Sequence, residues 1–212
     1  MGCMYEDVRM TQALIVFGNQ TADEIVSAAE EVCGDKFDAI RKFVFHEKIG
    51  SDPEFYNFVQ SHSNLSYIIG LTDVRLKPKA QAFADGLSMT PVTIIHPTAY
   101  IAPSATIGNG VFVAPQAVIS VNVNVEDHSI IHIHSSVGHD CKIGKFCAVL
   151  PGARISGNVS LGKSVMVGSG AFIFQGVTIG YRAQVDALTY VRHDVAEKQV
   201  VSCRTRRGSN KT

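Results

Sequence analysis

Four of the eight histidines in this chain fall within twelve residues: His128, His132, His134 and His139. An imidazole titrates near neutrality, so it can accept a proton from an attacking amine or hydroxyl. His139 is followed directly by Asp140, and a neighbouring carboxylate can orient the ring and raise its basicity, as in nucleophile-activating triads. The plainer reading of a His-Asp dipeptide is a solvated surface pair. Metal binding is a rival use of the same residues. His132 and His134 alternate along an extended segment, and His134 and His139 are five apart. Zinc needs three or four convergent ligands, so a further one would have to come from elsewhere, for instance across a subunit interface.

The segment that carries these histidines is periodic. In steps of six from Ile95 to Val191, all seventeen positions are Ile, Val or Leu. The fifth place of each hexad is small or short (Ala99, Ala105, Ala117, Ser129, Cys141, Cys147, Ala153), and the second is often glycine (Gly108, Gly138, Gly144, Gly162). Strand alternation points the fifth and first places inward and the sixth outward, and places two to four turn a corner. Three hexads close one triangular coil, and stacked coils give a left-handed parallel β-helix of between five and six coils over 95–196. The histidines occupy places two to four, off the inward positions. Cys141 and Cys147 occupy the inward fifth place and read as small core residues, not nucleophiles.

The first ninety residues alternate strand and helix. Strands are expected at Ala13–Phe17, Lys42–Phe45 and Ser66–Leu71, and helices at Ala22–Cys33 and Pro78–Met89. The reading is an α/β N-terminal domain, a small Rossmann-like parallel sheet over 1–90, followed by the all-β helix domain over 91–212. Ligands on parallel sheets bind at the carboxyl ends of the strands, where Gly18, Asn19, Gln20, Glu47, Gly70 and Asp73 would lie. Gly18-Asn19-Gln20 lacks the GxGxxG spacing of dinucleotide folds, and a glycine at a strand end has a turn-forming reason of its own.

Composition narrows the class. Of 212 residues, 19 are Lys or Arg and 19 are Asp or Glu, so there is no basic surplus for nucleic acid. No apolar run is long enough to span a bilayer, and the polar start does not read as a signal peptide. Five scattered cysteines without CxxC spacing suit reduced thiols and a cytoplasmic location.

The lead-in, the junction Ile94-Ile95-His96-Pro97-Thr98-Ala99-Tyr100-Ile101, and the coil Ser136-Val137-Gly138-His139-Asp140-Cys141-Lys142-Ile143-Gly144 together resemble the bacterial sugar acyltransferases, which include the sialic acid O-acetyltransferases and UDP-amino-sugar N-acetyltransferases. That resemblance implies direct transfer from acetyl-CoA to an amine or hydroxyl of a nucleotide-linked sugar, within a homotrimer whose sites lie between protomers. It implies that His139 is the general base and that Asp140 orients it. It places the sugar nucleotide on the N-terminal domain and acetyl-CoA along the helix, with a backbone N–H of a coil opposite the developing oxyanion. Gly152 and Gly170 are the expected backbone contacts of CoA, and Arg204 in the basic tail is a candidate for its phosphates. Relatives commonly carry a second His nine residues after the base, here Ala148, and an Asn seven before it, here His132, which would take over a polar contact. Their first loop is usually richer in glycine than Gly18-Asn19-Gln20-Thr21. Two other classes fit the same helix: a non-catalytic trimeric scaffold, and a metal-dependent hydratase like the β-helix carbonic anhydrases. The hydratases draw a further His from about two coils earlier, where this chain has Thr98.

Overall fold

A computed structural model of the protein describes residues 12–46 and 48–203. β1 (Gln12–Phe17), β2 (Ala39–Phe43), β3 (Asn64–Ile69) and β4 (Thr90–Pro91) form one parallel sheet in the order β2-β1-β3-β4. α1 (Gln20–Cys33), α2 (Pro53–Gln60) and α3 (Lys77–Gly86) connect them. Phe17, Phe43, Phe55 and Tyr67 pack on one side of the sheet with α2 and α3, and Leu14, Val16 and Ile68 pack with α1 on the other. The Rossmann-like reading holds, with local differences that include the unexpected edge strand β4. β2 starts at Ala39, not Lys42, because it pairs in register with β1 from Ala13 onward and Asp38 is tied to Gln12 through both backbone and side chain. Phe45 leaves the strand to pack edge-on against Phe17. α2 was not expected, although its start is marked. Asp52 accepts N–H groups from Glu54 and Phe55, and Pro53 occupies the first turn.

From Ile94 onward the chain is a left-handed parallel β-helix of two-residue strands at hexad places six and one. Three sheets face outward. The first, of seven strands, runs from Ile94–Ile95 to Val200–Val201; the second, of six, from Tyr100–Ile101 to Tyr190–Val191; the third, of five, from Thr106–Ile107 to Thr178–Ile179. Partners are eighteen residues apart, as in Ser136 with Arg154. Fourth-place residues from Gly110 to Leu188 take positive φ, among them His128, His134, Asp140 and Gly152, and this turns those corners. Cys141 and Cys147 are buried in the interior as expected, and burial raises both thiols, Cys147 to about 12. The last coil is shorter: Gln184 pairs with Val200, sixteen residues on, where the tail leaves the hexad frame.

The two domains dock on the first face. Ile94, Phe112 and Ile130, the sixth-place residues of successive coils there, are buried against Ala22, Ile25 and Ala29 of α1. At the other border of that face, Lys77 of α3 is fully buried and donates to the carbonyls of His128 and Cys147, each at 3.0 Å. Burial pushes its amine down to about 7. His128 is stacked between Tyr67 and Phe146 at centroid distances of 5.7 and 5.5 Å. Its Nδ1 has no hydrogen-bond partner among the described residues, and burial pushes the imidazole down to about 4. The folded chain therefore refuses a proton that the unfolded chain accepts below about pH 6.5. Stability should fall by up to about 3 kcal/mol between pH 6.5 and 4 on this account. His128→Phe keeps the stack and removes the titration. Urea melts at pH 7 and 4.5 should show a smaller loss in that variant than in wild type, the remainder including His132, which burial also lowers.

Candidate active site

A six-residue step moves the chain from one face of the prism to the next, so the four clustered histidines do not meet. His128 sits on the edge between the third and first faces, inside the domain interface. His132 and His134 turn the edge between the first and second. His139 turns the edge between the second and third, after strand Ser136–Val137 and before Lys142–Ile143. That edge lies opposite the face covered by the α/β domain. Among the described residues no group of three His, Cys, Asp or Glu is placed to hold a metal ion.

His139 and Asp140 are half-exposed, and His139 Nδ1 lies 2.8 Å from Asp140 Oδ2. A carboxylate accepts only, so the bond keeps the ring proton on Nδ1 and leaves Nε2 as the basic atom. Hydrogen bonds from His139 and then from Asn122 hold the Asp140 carboxyl below the usual carboxylate range. The ring lies over Gly157 of the next coil, where an added Cβ would stand 2.4 Å from Nε2. Sequence reasoning missed Asn122 and Gly157. The signal was available in the eighteen-residue offset that separates Asn122 from Asp140 and, one place back, Gly157 from His139.

At the carboxyl ends of the strands, Asn19, Gln20, Gly70 and Asp73 line one cavity of about 360 Å³ beside the first turn of α1. Gly18 is buried beneath it. A Cβ on Gly18 would stand 2.7 Å from the Gly70 carbonyl oxygen, and one on Gly70 would stand 3.1 Å from Ala22 Cα, so both glycines let β1, β3 and α1 close together. Asp73 is engaged by Arg75 through two side-chain bonds of 2.9 and 2.8 Å, which lower its carboxyl. Thr72 and Asp73 also border a second cavity of about 440 Å³ that reaches Met166 and Gln184 on the first face and Arg182 on its edge with the third. Glu47 and Arg204 lie outside the described residues.

Two expectations change with the geometry. His132 was expected to touch acceptor, but it is buried at the domain interface with Nε2 3.6 Å from Glu24 of α1, on a different edge from His139. Gly152 and Gly170 were expected to offer backbone contacts, yet their N–H groups already donate to Ile133 and Pro151, each at 2.9 Å. What Gly152 offers is space, since a Cβ there would meet none of the described residues within 4 Å.

No protein-family model matches the chain. Perosamine N-acetyltransferase from Caulobacter crescentus, solved with CoA and GDP-perosamine, superposes with a TM-score of 0.77 at 27% identity, covering 91% of this chain and 94% of that one. The fold is that of the left-handed β-helix sugar acetyltransferases. The acetyltransferase domain of PglB from Neisseria gonorrhoeae, solved with acetyl coenzyme A, shares this acetyltransferase fold with a TM-score of 0.78 at 24% identity, covering 91% and 96%. The GDP-perosamine N-acetyltransferase of Escherichia coli O157:H7 is 38% identical over 87 residues, which span 41% of this chain and 39% of the curated relative. Among the described residues no helix is long and apolar enough to cross a membrane.

The Gly157 contact is directly testable. Gly157→Ala displaces only a half-exposed ring, so its stability should stay within about 0.5 kcal/mol of wild type. A crystal structure of that variant should show His139 rotated off the coil and its bond to Asp140 broken.

Proposed function

We propose that the protein is an acetyl-CoA-dependent N-acetyltransferase that acts on the amino group of a nucleotide-linked sugar, with a GDP-linked sugar the first candidate. The observation that carries this reading is the exposed, carboxylate-oriented His139 on a β-helix edge, together with an open cleft at the strand ends of the α/β domain. The whole-length likeness to a perosamine N-acetyltransferase solved with CoA and GDP-perosamine supports it. The acceptor amine attacks the thioester carbonyl carbon, and His139 Nε2 takes the N–H proton while Asp140 steadies the resulting imidazolium. When the C–S bond breaks, the imidazolium returns that proton to the departing thiolate, giving the amide and free CoA. Acetyl-CoA as donor suits a cytoplasmic enzyme.

The cleft and the base belong to different protomers in this reading. One chain carries its cleft over the first face and its base on the opposite edge. Among the described residues the second face is the most apolar one left uncovered: Tyr100, Val118, Phe172 and Tyr190 project from it and are exposed, with Ser136 and Arg154 between them, whereas the third face projects Thr106, Asn124, Lys142, Ser160 and Thr178. Three second faces turned toward a common axis cover that patch. They set the His139 edge of one protomer beside the Gly152–Gly170 edge of the next, a groove for CoA and for the neighbour's acceptor.

His139→Ala should lower turnover at least about 100-fold, read as thiol release from acetyl-CoA with GDP-perosamine or another GDP-linked amino sugar. A wild-type rate in that variant removes His139 as the base. Thr72→Trp fills the cleft and should also abolish activity. Co-refolding the two inactive variants should restore about a quarter of the sites if base and cleft come from different protomers, and none if they come from one.

A further inference from the structure

We propose that Asn122 is a positioning residue for the His139–Asp140 pair, clamping one oxygen of the carboxylate so that the other holds the imidazole proton on Nδ1. This inference rests on the reading above for its catalytic consequence, but not for its geometry. Asn122 stands one coil before Asp140 on the same edge and the same hexad place, and its Nδ2 donates to Asp140 Oδ1 at 3.0 Å. Asp140 Oδ2 is thereby left for His139. Asn122 is itself held, since its backbone N–H donates to Ser104 Oγ, also at 3.0 Å, in the coil before. Three successive rungs of one edge thus lead to the base.

The clamp meets a specific physical need. An ion pair or charged hydrogen bond between half-exposed side chains is weak, and each side chain regains rotamer freedom when it lets go. A carboxylate tied at one oxygen has lost that freedom before the imidazole arrives, which is pre-organisation in the sense that matters for catalysis. Gly157 bounds the ring from the following coil, so the pair is confined from both sides. A backbone explanation of Asn122 exists, because its φ is 58° and asparagine tolerates that region. It is insufficient. His128, His134, Phe146 and Leu188 hold the same place and the same sign of φ at other corners, so the turn does not require an amide.

Two variants separate the roles. Asn122→Gly and Asn122→Asp both keep a residue suited to positive φ, so their melting midpoints should match wild type. Ring ¹⁵N shifts of His139 in the free protein should show the Nε2-protonated tautomer at least about threefold more populated in Asn122→Gly. Turnover in that variant should fall about tenfold, with KM for acetyl-CoA and for the amino sugar within about twofold of wild type. In Asn122→Asp a second carboxylate faces the pair, and the acid limb of the rate profile should move to higher pH. Asn122→Gly with an unchanged tautomer ratio, or with turnover within twofold of wild type, overturns the proposal. Failure of the base assignment reads differently, as an active His139→Ala variant, and leaves the ring measurement to decide Asn122 on its own.

Discussion

Backbone hydrogen bonds between successive coils are the constraint on which the rest of the helix domain depends. Gly138 N–H to the Ile155 carbonyl and Gly144 N–H to the Leu161 carbonyl, 2.8 and 2.9 Å, represent a ladder that repeats along each edge. It brings consecutive coils so close at the second place that a Cβ on Gly138 or Gly144 would stand within 3 Å of the next coil's backbone. The same ladder makes residues eighteen apart permanent neighbours. Chemistry on an edge is accordingly written vertically: Asn122 above Asp140, and Gly157 below His139.

The α/β domain uses one face of the prism as its second layer. Its apolar contact, Ile94, Phe112 and Ile130 against α1, is ordinary core packing. The polar contacts bordering it are not. Among the described residues Lys77 is buried without a carboxylate in hydrogen-bond reach and donates to two carbonyls, and His128 is held neutral between two aromatic rings. Both groups oppose protonation, so docking of the domains is strongest where neither is charged. Covering the first face also decides the site. The cleft is carried on one side of the prism, and the edge that bears His139 remains open on the other.

The period of six was legible over its whole length because inward positions tolerate only aliphatic or small side chains, and the prism and the inert cysteines followed from it. The outward places carried a second pattern that went unread: every third sixth-place residue, Ile94, Phe112 and Ile130, is apolar because it meets α1. The exposed Arg41, ahead of Lys42, hid the strand's true start at Ala39, which pairing with β1 settles. Asp52-Pro53 marked α2 plainly in capping terms, but the short segment lacked a long apolar stripe.

Residue types and their phase placed His139-Asp140 at an outward corner, and that much needed no coordinates, since strand alternation and a six-residue step are local properties. Which edge it was, and what stood around it, came from the closure of the coil. His128, His132 and His139 are near in sequence yet diverge, because each hexad rotates the chain by a third of a turn. Ser104, Asn122, Asp140 and Gly157 are far apart in sequence yet converge, because three hexads bring the chain back over itself.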